Sequence, residues 1–153
     1  MEIKIIDYED KYAKYFAQIN FQWLDAYFYI ENYDREVLTK PEKYIIEPGG
    51  HILFAKVENK IVGTVALIVR EEGTYELSKM GVLKGYRGFK IGQKLMDAAL
   101  SYCKKAGKTR VILDSSTKLT PALSLYKKLG FIEIPVDPNT PYERCDIRME
   151  MWL

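Results

Sequence analysis

The chain has 153 residues, 48% hydrophobic and 29% charged, proportions that suit one globular domain over residues 1–153 and exclude a disordered chain. Its 23 basic and 21 acidic side chains leave a net charge of +2, which argues against recognition of nucleic acid by bulk charge. No run approaches a membrane span, and the N-terminal MEIKIIDYEDKYAKYF carries too much charge for a signal peptide.

In chain order, Ile3 and Ile5 alternate with charged residues as a first strand, and Tyr12, Tyr15, Phe16 and Ile19 recur at helical spacing. The aromatic stretch from Phe21 to Tyr33 predicts the end of that helix and an irregular bridge, with its rings mostly in the core. A shorter helix is expected around Arg35 to Thr39, limited by Pro41. Glu31, Asp34 and Glu36 would suit a cationic amine, but are read as solvated surface charge. Gly49 and Gly50 punctuate the chain before HILFAKV, and the turn at Glu58 to Lys60 leads into IVGTVALIVRE. Gly73 turns into TYELSKMGV, so three consecutive strands form an antiparallel meander. His51, the only histidine, is read as structural.

The segment Glu76 to Gly92, ELSKMGVLKGYRGFKIG, runs from an apolar strand through a glycine- and arginine-bearing loop into a helix. Such a loop can gather backbone N–H groups around phosphate, helped by the positive end of the helix dipole and by the charges of Arg87 and Lys90. The helix after it shows one apolar face (Ile91, Leu95, Ala98, Ala99, Tyr102, Ala106) and stops at Gly107. VILDSS reads as a buried strand. Thr120 is expected to cap a helix with Pro121 in its first turn, an apolar face of Ala122, Leu125, Tyr126 and Leu129, and Gly130 at its end. Phe131 to Ile134 and Asp146 to Trp152 are the last two strands. Cys103 and Cys145 have no metal-type spacing and read as reduced packing residues in a cytoplasmic protein without a metal.

This order of elements resembles the GNAT family of N-acetyltransferases across nearly the whole chain. The likeness is sharpest between Glu76 and Phe131. Arg87, Gly88, Phe89, Lys90, Ile91 and Gly92 align with the family's acetyl-CoA signature, ALSLYKKLGF with its tyrosine-bearing helix, and RCDIRMEMWL with its closing strand. The resemblance implies a mixed, mostly antiparallel twisted sheet of about seven strands flanked by four helices, the acyl-CoA N-acyltransferase fold. It also implies acetyl-CoA as cosubstrate and a small-molecule or peptide amine as acceptor, with no nucleic acid or membrane partner. A homodimer through the late strands is common in similar proteins. A non-catalytic acyl-CoA-binding sensor or interaction module of the same fold is the alternative.

By that resemblance Arg87 to Gly92 hold the pyrophosphate, while Met80, Gly81 and Val82 present backbone groups to the pantetheine and acetyl units. Gly81 suits a bulge, or is a packing glycine. Lys90 replaces the family's central glycine, at a cost of about 1–2 kcal/mol if the backbone there is left-handed. Glu76 is the candidate base for the amine proton, or a solvent-facing strand residue. Alternation places it on one face with Ser78 and Met80. Tyr126 is the candidate donor to the departing thiolate, or a packing residue on its helix.

Overall fold

The computed structural model describes residues Met1–Leu153. Strand β1 (Ile3–Asp7) is followed by helices α1 (Ala13–Tyr27) and α2 (Asn32–Thr39) and then by the meander β2 (His51–Val57), β3 (Lys60–Val69) and β4 (Thr74–Val82). Helix α3 (Ile91–Lys105) leads to β5 (Arg110–Ser115), and α4 (Thr120–Leu129) leads to β6 (Ile132–Ile134) and β7 (Ile147–Trp152). One seven-stranded sheet results, in the order β1-β2-β3-β4-β5-β7-β6, antiparallel everywhere except between β4 and β5. No helix is long and apolar enough to cross a membrane.

The near-continuous apolar runs of β2 and β3 are explained by a sheet covered on both faces. Leu53, Ala55, Val65 and Leu67 pack with Leu95, Met96, Ala99 and Cys103 of α3. Ile52, Phe54 and Ala66 pack on the other face with Phe16, Ile19 and Leu24 of α1 and Val37 and Leu38 of α2. Each Val, Leu, Ile, Phe or Met among them contributes about 1.5–3 kcal/mol when withdrawn from water, so two apolar layers hold the sheet between two helix pairs.

Four local features differ from the sequence reading. Helix α2 starts earlier than Arg35, because Asp34 Oδ2 accepts the Glu31 amide at 2.9 Å and so closes the first turn from within the helix. Pro41 does more than limit the helix before it, since it opens a single π turn, Glu42–Ile46. Helix α4 includes Thr120, preceded by Leu119, and no side chain caps it, so the threonine is part of the first turn. Tyr27, Tyr29 and Tyr33 lie 42–58% exposed rather than in the core.

The consequential difference is in β4. Ser78 lies opposite Ala66 and Gly81 opposite Thr64, so Lys79 and Met80 together face the single residue Val65. The bulge is therefore at Lys79 and Met80, with Lys79 left-handed at φ 54°, and not at Gly81. Gly81 instead allows close approach of α1, since a Cβ there would sit 3.2 Å from Ile19 Cγ2. The extra residue reverses the alternation: Met80 joins Leu77 on the α3 side, while Glu76 and Ser78 face a cavity walled by Val37 of α2.

Candidate active site

Strands β4 and β5 pair only over Thr74↔Arg110, Tyr75↔Val111 and Glu76↔Ile112. Beyond Glu76 they diverge, and β4 continues to Val82 with an edge that no strand covers. The gap opens a cavity of about 620 Å³. Its walls come from the bulged half of β4, the loop before α3, the end of β5, and the facing sides of α1 and α4.

Glu76, Met80, Gly81, Val82, Arg87, Gly88, Lys90, Ile91, Gly92 and Tyr126 all line this cavity. Phe89 does not; its ring is 49% exposed. The loop before α3 curls through two left-handed residues, Gly88 at φ 88° and Lys90 at φ 62°. As a result the amides of Gly88, Phe89, Lys90, Ile91, Gly92 and Gln93 donate to no backbone carbonyl, and the first helical bond runs from Lys94 to Lys90 O at 3.1 Å. Six successive free donors at a helix N-terminus favour an anion. Arg87 is less simply placed than its charge suggested. Its Nε donates to Val82 O at 3.2 Å, its guanidinium stacks on Tyr27 at 5.4 Å, and its Nη2 is buried without an acceptor.

Tyr126 is 7% exposed and makes van der Waals contact with the core, its ring centroid 6.0 Å from that of Phe131. Burial pushes its hydroxyl up to about 12. Cys145 lines the same cavity, and burial pushes its thiol up to about 11. Glu76 is also buried, and Arg70 Nε donates to its Oε1 at 2.8 Å, leaving Oε2 for other partners.

A polar cluster absent from the sequence reading closes one end of the cavity. Asp34, expected at the surface, is fully buried. Arg144 grips it with two bonds of 2.8 and 2.9 Å and reaches Glu31 Oε2 at 2.9 Å. Lys79 Nζ lies 3.3 Å from Asp34 Oδ1 and contacts the hydroxyl of Tyr142. Burial lowers Lys79 to about 8 against the opposing charge of Asp34. Glu36, by contrast, is exposed as expected and pairs with Lys40. The one sequence signal for this cluster was a lysine inside a strand. Of its partners, Asp34 lies in the first turn of α2, and Tyr142 and Arg144 lie in the loop between β6 and β7, which has no periodicity.

A model of the acetyltransferase (GNAT) family matches residues 16–131. An N-acetyltransferase of Schizosaccharomyces pombe is 33% identical over 125 residues, covering 76% of each chain. Other curated relatives, from Xenopus, human and Mycobacterium, are matched over about half of their own length. Among solved structures, a GNAT-family acetyltransferase from Staphylococcus aureus Mu50 superposes with a TM-score of 0.87 at 26% identity, over 99% of both chains. The PaiA N-acetyltransferase from Thermoplasma acidophilum, crystallised with coenzyme A, superposes with a TM-score of 0.79 at 23% identity over the whole of both chains. The sheet and its helices thus have the acyl-CoA N-acyltransferase fold.

Proposed function

The chain belongs to the acetyltransferase (GNAT) family, and from that premise we propose that it transfers the acetyl group of acetyl-CoA to a primary amine by direct attack in a ternary complex. The observation that carries this reading is the run of six unpaired amides from Gly88 to Gln93, which opens onto the gap between β4 and β5. Those amides and Lys90 suit the diphosphate. The uncovered edge of β4 from Met80 to Val82 suits the pantetheine arm, which pairs as a further strand would. A β4 amide beside the carbonyl would stabilise the oxyanion.

In this mechanism a neutral amine nitrogen attacks the thioester carbonyl. The C–N bond forms, the C–S bond breaks, and the amine proton passes to Glu76 Oε2 or to a water bound there. Tyr126 protonates the departing thiolate. A phenol at about 12 is a weak acid toward an ordinary thiol near about 8.5. Burial in the same surroundings would raise the CoA thiol as well, which narrows that gap.

The test is twofold. Acetyl-CoA at about a hundredfold excess over its dissociation constant should stabilise the protein by about 2.7 kcal/mol, seen as a higher melting temperature. Release of CoA thiol with a panel of primary amines should then separate an enzyme from a non-catalytic acyl-CoA sensor. No melting shift would remove the cofactor reading, and a shift without thiol release from any amine would favour the sensor.

A further inference from the structure

A second cavity, of about 520 Å³, lies on the α2 side of the sheet. Glu76, Ser78, Asp114 and Tyr142 line both cavities, so the two meet along that seam. The second cavity has its own chemistry. Glu76 is paired with Arg70 at 2.8 Å, and Asp114 holds Arg148 through two bonds of 2.7 and 2.9 Å. Asp137, also in its wall, has no basic partner within salt-bridge distance, and the one hydrogen bond to its carboxylate is from the Asn139 amide to Oδ1 at 2.9 Å. The unbalanced charge in the lining is therefore negative, and it lies outside the seam.

Three tyrosines share the wall. Tyr33 stands 5.6 Å from Tyr142 and 6.3 Å from Tyr44, measured between ring centroids. Tyr142 already carries Lys79 and Arg144 over its ring, and Tyr44 carries Lys43. Tyr33 alone has no cation of the chain over it, and an electron-rich ring of this kind attracts one.

We infer that the second cavity seats the amine acceptor and selects a molecule with a second positive charge, a diamine or similar dication. Its reacting nitrogen lies at the seam beside Glu76 and Ser78, and its distal ammonium meets Asp137 and the ring of Tyr33. The reacting nitrogen must be neutral when it attacks, so it cannot balance Asp137 at that moment. A monoamine bound as an ammonium at Asp137 would hold its only nitrogen away from the seam. An acidic tail would meet repulsion there. This inference rests on the acetyl-transfer reading.

The test compares linear primary amines of matched length that end in an ammonium, a methyl, a hydroxyl or a carboxylate, with the natural chain and Asp137→Asn. The diamine should have a kcat/KM about tenfold above the others, and Asp137→Asn should abolish that preference by raising KM about tenfold while kcat stays nearly unchanged. Equal kcat/KM for the four amines, or a preference that survives Asp137→Asn, would overturn the inference. If none of the four is turned over, calorimetry on the CoA-loaded protein decides. Diamine binding weakened about tenfold by Asp137→Asn upholds the inference, and no diamine binding overturns it. Protein that binds no acetyl-CoA at all would instead remove the acetyl-transfer reading and this inference with it.

Discussion

The ammonium of Lys79 and the carboxylate of Asp34 face each other at 3.3 Å inside the protein, where Asp34 is fully buried and the Lys79 side chain nearly so. Arg144 completes the arrangement from the loop between β6 and β7. One carboxylate thereby ties together α2, the β4 bulge and the loop that roofs both cavities. Burial alone would push the Asp34 carboxyl up, but the Arg144 hydrogen bond, the charge of Lys79 and the Glu31 amide outweigh it and leave it below the usual carboxylate range.

Asp34→Asn should therefore leave buried Lys79 without its anion and Arg144 with Glu31 alone, and cost about 3–5 kcal/mol in urea unfolding. Because the native pKa lies below the ordinary 3.8, the stability Asp34 contributes is present above that value and lost as pH falls through the native one. The gap between the two proteins should shrink in strong acid. An Asp34→Asn protein as stable as the natural chain at neutral pH would show that the cluster does not hold the roof.

Lys79 gives a slope of the same sign in a different pH range, because its native value is depressed as well. Its native value near 8 is below the ordinary 10.5, so between these limits the unfolded chain binds more protons and stability rises with pH. Lys79→Met should remove that rise while Asp34 and Arg144 stay paired. Urea midpoints measured from pH 8 to 10 check this, and identical pH dependence in both proteins would count against a desolvated ammonium.

Tyr126→Phe retains the ring that packs on Phe131 and removes only the hydroxyl. We expect kcat to fall about 100-fold with little change in acetyl-CoA affinity. Since burial holds the phenol near 12, no alkaline loss of activity should come from its ionisation below pH 10. Unchanged turnover would reduce Tyr126 to a packing residue.

Lys90→Gly should relieve a left-handed residue at the start of α3 and stabilise the fold by about 0.5–1 kcal/mol, after the greater freedom of glycine in the unfolded chain is counted. Arg87→Ala should weaken acetyl-CoA binding about tenfold by calorimetry. If Arg87 serves only to brace Val82 O against Tyr27, the variant will lose stability and keep its affinity.

Much of the fold was legible because it is local. Gly107 and Gly130 end α3 and α4 with positive φ, as helix-stop glycines do, and the alternating and continuous apolar runs marked every strand. The bulge was not legible. Whether Gly81 or Lys79 takes the irregular position depends on the pairing with β3 on one side and the contact with Ile19 on the other. Asp34 was misread for the same reason, since its partner Arg144 lies 110 residues away.

From its sequence alone this protein determined the order of its elements, the meander and the glycine-bearing loop into α3, because backbone preference and hydrophobic period act over a few residues. Only the tertiary structure decided where β4 parts from β5, which face Met80 takes and which charges are buried together. Those outcomes depend on groups brought together from distant parts of the chain, and their energies arise only once water has been excluded from between them.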